Sequence, residues 1–471
     1  MLRTKGTQII DEKGNPTPLR GVCLGTWMMM ENMMLGYPGG EQQFRGFMRK
    51  HAGKEKADLF FDNLLDAFVQ EEDIRFIKEM GCTGIRVPFN YRHFESDNEP
   101  FVYNEDGFKH LDRIVELCKK YNVYVILDMH SLPGYQNYSW HSDNITGSTR
   151  FYQEPIYQQR MKELWKHIAD HYKNEDIVAG YDLINEPVAI GEYEVSILNK
   201  VYRETTKSIR EIDKNHIIFL KGNLWGRSFE GFDAPFDDNL VYSCHFYTGP
   251  MGCTVSYPRF QGIANTESFT NQVSPQNRGF FNLVSSRSML EQQMDARDEF
   301  AVKNNVPCWV GEFCLSEGNP LFKEDGMRLL EDQLKIFNER GHSWSYWSYK
   351  SILGGLVHPT DDSKWMNFVE KYRPLREKYN CDMDGETGDK WELGNVLKPF
   401  YYFDFRNSDI DVDCEIRQQL SLIFSKALAD LFTKDLSKFS GEELKNLTSS
   451  FLYKNCGIRT DLKELIKTYL V

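Results

Sequence analysis

The stretch Ile177-Val-Ala-Gly-Tyr-Asp-Leu-Ile-Asn-Glu-Pro187 is an apolar run that ends in a carboxylate. A short run rich in Val, Leu and Ile, closed by Asn185-Glu186-Pro187, predicts a strand buried on both faces of a parallel sheet. Pro187 ends the strand and fixes the turn that follows. Because barrel enzymes carry their reactive side chains at the C-terminal ends of parallel strands, Glu186 is a candidate catalytic residue. The structural alternative is that Glu186 only caps the next helix.

The composition favours one large α/β unit. The chain has 471 residues, of which 41% are hydrophobic and 14% aromatic, and its formal net charge is −13. A (β/α)8 barrel of about 250 to 400 residues would take most of this length, and the acidic balance argues against nucleic acid or an anionic membrane as partner. The N-terminal residues lack an apolar core of signal-peptide length, and no stretch is long enough to span a membrane. We therefore expect a cytoplasmic protein, or a secreted one if a leader was removed.

The ten cysteines are scattered through the chain and form no Cys-x-x-Cys pair. Several lie inside apolar runs, where a free thiol behaves as a small core residue. We expect reduced, buried thiols rather than a disulfide framework, and no zinc site.

Strand and helix patterns alternate along the chain. Strands are predicted at 19–27, 83–89, 123–130, 177–187, 216–221, 240–247, 306–313 and 343–349, and helices at 72–80, 107–121, 155–173, 192–212, 286–304 and 324–340. Eight strands with helices between most of them predict a (β/α)8 barrel rather than an open sheet. A hairpin around Gly14-Asn15 is expected before the barrel, and a long insertion, 28–71, follows its first strand.

The chain changes character near residue 380. Residues 381–412 look irregular, and amphipathic helices are predicted near 413–434, 441–454 and 460–470. Because roughly 60 residues form only a marginal core of their own, we expect residues 381–471 to be a helical extension packed on a catalytic barrel of residues 1–380. A dimer contact is the alternative use of its apolar faces.

Polar residues occur at the predicted ends of seven strands. They are Trp27 and Glu31 after the first strand, Arg86 on the second, His130 on the third, Asn185 and Glu186 on the fourth, His245 and Tyr247 on the sixth, Glu312 on the seventh and Trp347 on the eighth. Each has a structural explanation when taken alone, such as core packing or a satisfied histidine. Together they converge on one rim, and two carboxylates on different strands are what hydrolysis of a glycosidic bond requires.

This set of residues resembles glycoside hydrolase family 5, the large cellulase family, over roughly residues 15–360. The resemblance implies that Glu186 is the general acid/base and Glu312 the nucleophile. It also implies that Asn185 binds the sugar 2-hydroxyl, that Arg86 and Tyr247 hydrogen-bond Glu312, that His130 and His245 line the site, and that Trp347 stacks under the sugar.

Two segments are similar to one branch of that family, the exo-acting β-1,3-glucanases. Asp128-Met-His130-Ser-Leu-Pro-Gly-Tyr-Gln-Asn137 resembles their Asp-x-His-x-x-Pro-Gly-x-Gln-Asn segment, which brings in Gln136 and Asn137. Trp27-Met-Met-Met-Glu31 resembles their Trp-x-x-x-Glu, whose acid binds the terminal sugar. Trp140, with Trp27, Tyr247 and Trp347, fits a carbohydrate site because apolar sugar faces stack on aromatic rings.

The chemistry predicts opposite charge states for the two glutamates. Arg86 would favour ionised Glu312, whereas burial and the neighbouring carboxylate would raise the pKa of Glu186 so that it holds its proton. A retaining, two-step mechanism with an acidic, bell-shaped pH profile follows, with no metal or cofactor.

The leading expectation is a retaining exo-β-glycosidase acting on short β-linked glucosides or oligosaccharides. The alternatives are an exo-β-mannosidase, an endo-β-glucanase with an open cleft and, more remotely, an inactive carbohydrate-binding barrel. A metal-dependent hydrolase is disfavoured because the chain contains no His-x-His or His-Glu-x-x-His pattern.

Overall fold

Eight parallel strands close into a barrel in the computed structural model, which describes residues 1–247, 287–315, 323–378 and 412–470. Each strand pairs with its neighbours in chain order, and the eighth pairs with the first. The barrel strands are β1 (Arg20–Cys23), β2 (Gly84–Asn90), β3 (Tyr124–Ser131), β4 (Val178–Asp182), β5 (Ile217–Lys221), β6 (Leu240–His245), β7 (Cys308–Phe313) and β8 (Ser343–Tyr346). The predicted (β/α)8 barrel is confirmed.

Helices connect most of the strands and surround the barrel. In chain order they are α1 (Asn32–Leu35), α2 (Glu41–Ala52), α3 (Lys54–Phe68), α4 (Glu71–Met80), α5 (Phe108–Tyr121), α6 (Pro155–Tyr172), α7 (Gly191–Arg210), α8 (Asn223–Gly226), α9 (Arg287–Lys303), α10 (Lys323–Glu339), α11 (Lys364–Val369), α12 (Arg373–Lys378), α13 (Val412–Leu436), α14 (Gly441–Thr448) and α15 (Thr460–Thr468).

The α5–β3 unit shows how the sequence sets these elements. Phe108, Leu111 and Ile114 recur at helical spacing and are buried against the barrel. The helix ends at Asn122, whose φ of +52° gives the left-handed conformation that often follows a helix. The apolar run of β3 follows at once and is buried beyond Tyr124, as expected for a parallel strand covered on both faces.

The N-terminal hairpin closes the bottom of the barrel, and the hairpin predicted around Gly14-Asn15 follows it directly. The strands of the N-terminal hairpin, Arg3–Lys5 and Gln8–Ile10, flank Gly6, whose φ is +57°. The predicted hairpin around Gly14-Asn15 is confirmed, because Ile10 and Pro16 form an antiparallel bridge and the Thr17 N–H donates to the Ile9 carbonyl at 2.8 Å. Within its turn, the Asp11 carboxylate accepts the Asn15 backbone N–H at 2.8 Å. The buried side chains of the N-terminal hairpin join an apolar cluster with barrel residues, comprising Leu2, Ile9, Leu19, Ile126, Ala179, Ile217, Phe219, Val241 and Trp309.

The C-terminal tail packs on the insertion that follows β1. Phe432 of α13 contacts the Phe44 ring of α2 with a centroid separation of 5.6 Å. Strand Cys456–Ile458 pairs antiparallel with Val357–Pro359, and the Phe451 carbonyl accepts a hydrogen bond from buried Lys350 at 2.8 Å. The tail therefore contributes to the barrel periphery, whereas its expected irregular start at 381–412 and the boundary near 380 lie almost wholly outside the described residues.

The structure describes the side chains of seven cysteines. All seven are free thiols, and five of them are buried. This agrees with the expectation of core thiols for that part of the chain, while Cys253, Cys381 and Cys414 lie outside it. Within the described ranges, every helix is too short or too polar to cross a membrane.

Candidate active site

The barrel brings most of the predicted residues to one end. Arg86 lies in β2, His130 in β3, His245 at the end of β6 and Glu312 in β7. Glu186 follows β4 by four residues and has a φ of +42°, an uncommon value for a non-glycine residue. These side chains meet because the C-terminal ends of parallel strands share one rim of the barrel.

Glu312 is held by two hydrogen-bond donors. Arg86 donates through Nη1 to Oε1, and the Tyr247 hydroxyl donates to Oε2 at 2.7 Å. Burial raises the pKa of Glu312, Arg86 opposes that rise, and Glu186 adds to it. Because both partners donate, the hydrogen bonds are those of an ionised carboxylate, as a nucleophile needs.

Arg86 is itself fixed by carboxylates below the site. Its Nε donates to Asp182 at 3.1 Å, and its Nη2 lies 3.0 Å from Asp128 and donates to the Asn185 Oδ1 at 2.8 Å. The guanidinium is fully buried, so each unpaired donor would carry a large desolvation cost. The pKa of Arg86 is raised well above its usual value: burial lowers it, but Asp128, Glu312 and Asp182 outweigh burial.

Lys221 is a second buried cation that the sequence analysis missed. Its Nζ donates to the Ser243 hydroxyl at 2.5 Å and pairs with Asp182 at 3.2 Å. A signal was present in the sequence, because a lysine ends the apolar run of β5. Lys221 and Arg86 thus share Asp182 and place two positive charges beneath the site.

Glu186 is held between two histidines. His245 Nδ1 lies 2.6 Å from Oε1, and His141 Nε2 lies 2.9 Å from Oε2. Its backbone carbonyl accepts the Asn137 side-chain amide at 2.9 Å, which fixes the strained turn. His141 was not predicted, because it lies in an irregular loop where no periodicity shows which way a side chain points.

The electrostatics of Glu186 differ from the expectation. Although burial raises its pKa, His245 and His141 lower it well below the usual range, so the predicted raised pKa is wrong for the substrate-free site. The pKa of His245 is in turn well below its usual value because of burial and Lys221. A neutral His245 donates its Nδ1–H to Glu186, so the other imidazole, His141, is the group able to bring a positive charge to this carboxylate.

The two glutamates face each other across His245. Its Nδ1 lies 2.6 Å from Glu186 and 3.4 Å from Glu312, and one oxygen of each carboxylate lies within 4.8 Å of the other. Carboxyl groups about 5–5.5 Å apart accompany retention of configuration in glycoside hydrolysis, whereas about 6.5–9.5 Å accompanies inversion.

Four further predicted residues border this pair. The Asn185 amide nitrogen lies 3.1 Å from His130 Nε2, and His130 Nδ1 lies 2.7 Å from Asp128. The Trp347 ring lies parallel to the His130 ring, with centroids 5.4 Å apart. Glu31 Oε1 lies 3.7 Å from His130 Nε2, so the insertion after β1 reaches the site through this residue.

Trp27 lies elsewhere. It is buried in the large core cluster, where its indole N–H donates to the Leu65 carbonyl at 2.8 Å and its ring meets His110 edge-on. The expected sugar contact is therefore corrected to a packing role, because the side chain points from the barrel toward α3 and α5.

Gln136, Asn137 and Trp140 lie in the loop after β3. The Gln136 amide donates to the backbone carbonyls of His130 and Asn185, at 2.7 and 2.9 Å. Like Asn137, it is fully buried, so both side chains position the catalytic turn from below. Trp140 is buried beside His141 at the start of a short 3-10 turn.

One group of possible metal ligands occurs among the described residues: Glu186, His245 and Glu312, with ligand atoms within 4.8 Å. Both oxygens of Glu312 already accept hydrogen bonds from Arg86 and Tyr247. A divalent cation would have to lie beside the guanidinium, which it would repel. This donor set suits proton transfer better than metal binding.

A barrel with two facing carboxylates at the ends of β4 and β7 defines a glycoside hydrolase site. The sequence matches the profile of the cellulase family, glycosyl hydrolase family 5, over residues 51–352. The chain therefore belongs to glycosyl hydrolase family 5, and it is a hydrolase of β-glycosides.

Three characterised relatives show how far the similarity extends. A β-xylosidase of Phanerodontia chrysosporium is 32% identical and aligns with 99% of this chain and 97% of its own. Endoglucanase C of Acetivibrio thermocellus is 30% identical over 62% of this chain and 88% of its own. Glucan 1,3-beta-glucosidase 2 of Wickerhamomyces anomalus is 24% identical over 71% of this chain and 83% of its own. The predicted resemblance to the exo-acting branch is thereby confirmed.

Proposed function

We propose that the protein is a retaining, exo-acting β-glycosidase that releases the terminal sugar from short β-linked glucosides. The observation that carries this proposal is the pair of carboxylates, Glu186 and Glu312, bridged by His245 with oxygens within 4.8 Å. A separation of this size is closer to the roughly 5–5.5 Å of retaining enzymes than to the roughly 6.5–9.5 Å of inverting ones, which supports the retaining assignment.

The reaction proceeds in two displacements. In the first, Glu312 attacks the anomeric carbon, the glycosidic C–O bond breaks, and the leaving oxygen takes a proton from Glu186. In the second, ionised Glu186 removes a proton from water, which attacks the anomeric carbon and frees Glu312. Arg86 and Tyr247 orient Glu312 for attack throughout.

The insertion after β1 supports exo action. Glu31 approaches His130 at the floor of the site, and α2 is joined to the loop after β3, where the Asp143 carboxylate accepts the Gln42 backbone N–H at 3.0 Å. We infer that these contacts form a polar wall at one end of the cleft, where Glu31 would offer hydrogen bonds to a terminal sugar. A polymer could not pass through a cleft closed in this way.

A β-xyloside is the second candidate substrate. The relative that aligns with 99% of the chain, tail included, is a β-xylosidase, whereas the endoglucanase aligns with 62%. A glucoside and a xyloside differ by one hydroxymethyl group, and both suit the same two-step chemistry. A β-mannoside and an endo-acting cleft are the remaining alternatives.

The test is hydrolysis of a panel of p-nitrophenyl β-glycosides and β-linked disaccharides carrying glucose, xylose or mannose. We expect release of the terminal sugar, with the β-anomer formed first by proton NMR, and no early fall in polysaccharide viscosity. Glu312→Gln should abolish turnover, and azide should restore the activity of Glu186→Ala on activated substrates as a β-glycosyl azide. First formation of the α-anomer would contradict retention, and a rapid fall in viscosity would contradict exo action.

A further inference from the structure

His141 touches the acid/base from the side open to solvent. Its Nε2 lies 2.9 Å from Glu186 Oε2, and 20% of its side chain is exposed, compared with 9% for Glu186 and 1% for His245. The 3-10 turn Trp140–Ser142 presents the ring, and Asp143 ends that turn with a φ of +55°. The Ser131 hydroxyl donates to the Ser142 carbonyl and ties the turn to the end of β3.

The Asn137 side chain influences whether the proton between His141 and Glu186 lies on the imidazole or on the carboxylate. Its Oδ1 accepts the Ser139 backbone N–H at 2.9 Å, which fixes the orientation of the amide. Its Nδ2 therefore faces His141 Nε2 at 3.0 Å as well as the Glu186 carbonyl. This contact favours a lone pair on Nε2 and a proton on Glu186, whereas the short distance to a carboxylate favours a proton on Nε2.

Charged and titratable groups from several elements surround the pair and act on the position of this proton. The titratable and charged groups that face the pair are His245 from β6, Glu312 from β7 with its donors Arg86 and Tyr247, Lys221 from β5, and His130 with Asp128 and Glu31. Arg86 and Lys221 are positive and buried below, whereas Glu312 is the nearest negative neighbour of Glu186. That negative charge disappears when Glu312 is glycosylated.

We propose that His141 shares the catalytic proton with Glu186, so that the acid and base of the reaction is the Glu186–His141 pair rather than the carboxyl group alone. The inference rests on the proposed function. His141 acts through Glu186 and is a positioning residue, because only Glu186 meets the glycosidic oxygen.

The proton balance is simple. Before the first displacement the pair holds one proton, on Glu186 Oε2 or on His141 Nε2. Cleavage passes that proton through Glu186 to the leaving oxygen, which leaves ionised Glu186 beside a neutral imidazole. In the second displacement the pair regains one proton from the attacking water. When the leaving group departs without needing a proton, the exposed imidazole gives the retained proton to solvent so that Glu186 can act as base.

The pH dependence of kcat/KM separates this role from a simple hydrogen bond. A proton that can occupy either of two sites is bound more tightly than a proton with a single site. It is therefore lost at a higher pH. The His141→Gln variant keeps an N–H donor but cannot hold the catalytic proton. We expect the alkaline limb of its kcat/KM profile to shift to lower pH by about half a pH unit or more. His141→Phe should shift it in the same direction. If His141 only donated a hydrogen bond, Gln would leave the limb unchanged and Phe would move it upward.

A leaving-group comparison gives a second readout. Because general acid catalysis contributes at least about 10²-fold for poor leaving groups, His141→Gln should lower kcat/KM on a disaccharide by about 10-fold or more. The loss on a 2,4-dinitrophenyl glycoside should stay below about 3-fold. Equal losses on both substrates would indicate a structural role and overturn the proposal. His171→Gln is the matched control, because His171 of α6 also pairs with a carboxylate, Asp112 of α5, at 2.8 Å, in an interhelical contact separate from Glu186.

A measurement without substrate keeps the proposal testable if the proposed function fails. Imidazole nitrogen NMR would follow the His141 ring, assigned by its loss in His141→Gln, across the pH range. In Glu186→Gln the midpoint of its titration should fall by about one pH unit or more, because an opposite charge within 4–6 Å shifts a titration by about that much. An unchanged midpoint would overturn proton sharing, whereas a wild-type enzyme inactive on every β-glycoside would overturn the proposed function alone.

Discussion

Gly311→Ala would show how tightly the floor beside Glu312 is filled. A Cβ at this position would lie 2.7 Å from Lys221 Nζ, 2.9 Å from Ser243 Oγ and 3.3 Å from His245 Nε2. Ordinary contacts begin near 3.4 Å, so the ammonium would have to move by about 0.7 Å. It cannot do so freely, because Lys221 is fully buried and bonded to Ser243 and Asp182.

The size of the effect follows from these contacts. Overpacking of a filled interior costs about 1–3 kcal/mol, and separating a buried cation from its carboxylate costs about 3–5 kcal/mol. We therefore expect Gly311→Ala to lower the free energy of unfolding by at least about 2 kcal/mol. Since Glu312 is the next residue, a shift of about 1 Å should lower kcat/KM by about 10²-fold.

Urea unfolding followed by circular dichroism, with steady-state kinetics on the same preparations, would measure both effects. Gly46→Ala is the matched control: Gly46 lies in α2 with open space around its Cα, where alanine should stabilise the helix by about 0.5–1 kcal/mol. The same added methyl group should thus have opposite signs at the two sites. Equal unfolding free energies and unchanged kinetics for Gly311→Ala would refute the tightly packed floor.

Two other predictions concern stability. In the wild-type protein, Lys350 Nζ lies 2.6 Å from the buried Asp73 carboxylate. Lys350→Met removes this cation and should lower the free energy of unfolding, measured in urea, by about 3–5 kcal/mol. A variant as stable as the wild type would show that this pair contributes little. Burial raises the pKa of Asp213, but hydrogen bonds, above all the one from His216, lower it to about 2. The ionised carboxylate therefore stabilises the folded protein fully above about pH 4, and this contribution is lost as the pH falls toward 2. Asp213→Asn should therefore cost about 2 kcal/mol at pH 7, and the unfolding free energies of mutant and wild type should converge near pH 2; a constant difference across that range would contradict this assignment.

The barrel and the catalytic pair could be predicted because both depend on local sequence. The apolar runs before Glu186 and Glu312 are long enough to give strands, and parallel strands place their C-terminal ends on one rim. Lys221 was equally accessible in principle, since a charged residue that ends a buried strand needs a buried partner.

The remaining features depend on contacts distant in sequence. Trp27 follows β1 as a sugar-stacking residue would, but its direction is set by packing against α3 and α5. His141 reaches Glu186 because of a turn that ends in the left-handed residue Asp143. The low pKa of Glu186 depends on His245 at the end of β6 and on His141 from the loop after β3, so strand patterns alone suggested the opposite direction.

The contacts between the tail and the first insertion determine when the barrel can be finished. Phe432 packs on Phe44, and the Phe451 carbonyl completes the hydrogen bonds of Lys350, which also donates to the Phe68 carbonyl. During synthesis from the N-terminus, helices α2 and α3 emerge long before the residues that cover them. We therefore expect the face of α2 that Phe432 covers to stay exposed on a nascent chain until the tail has been made.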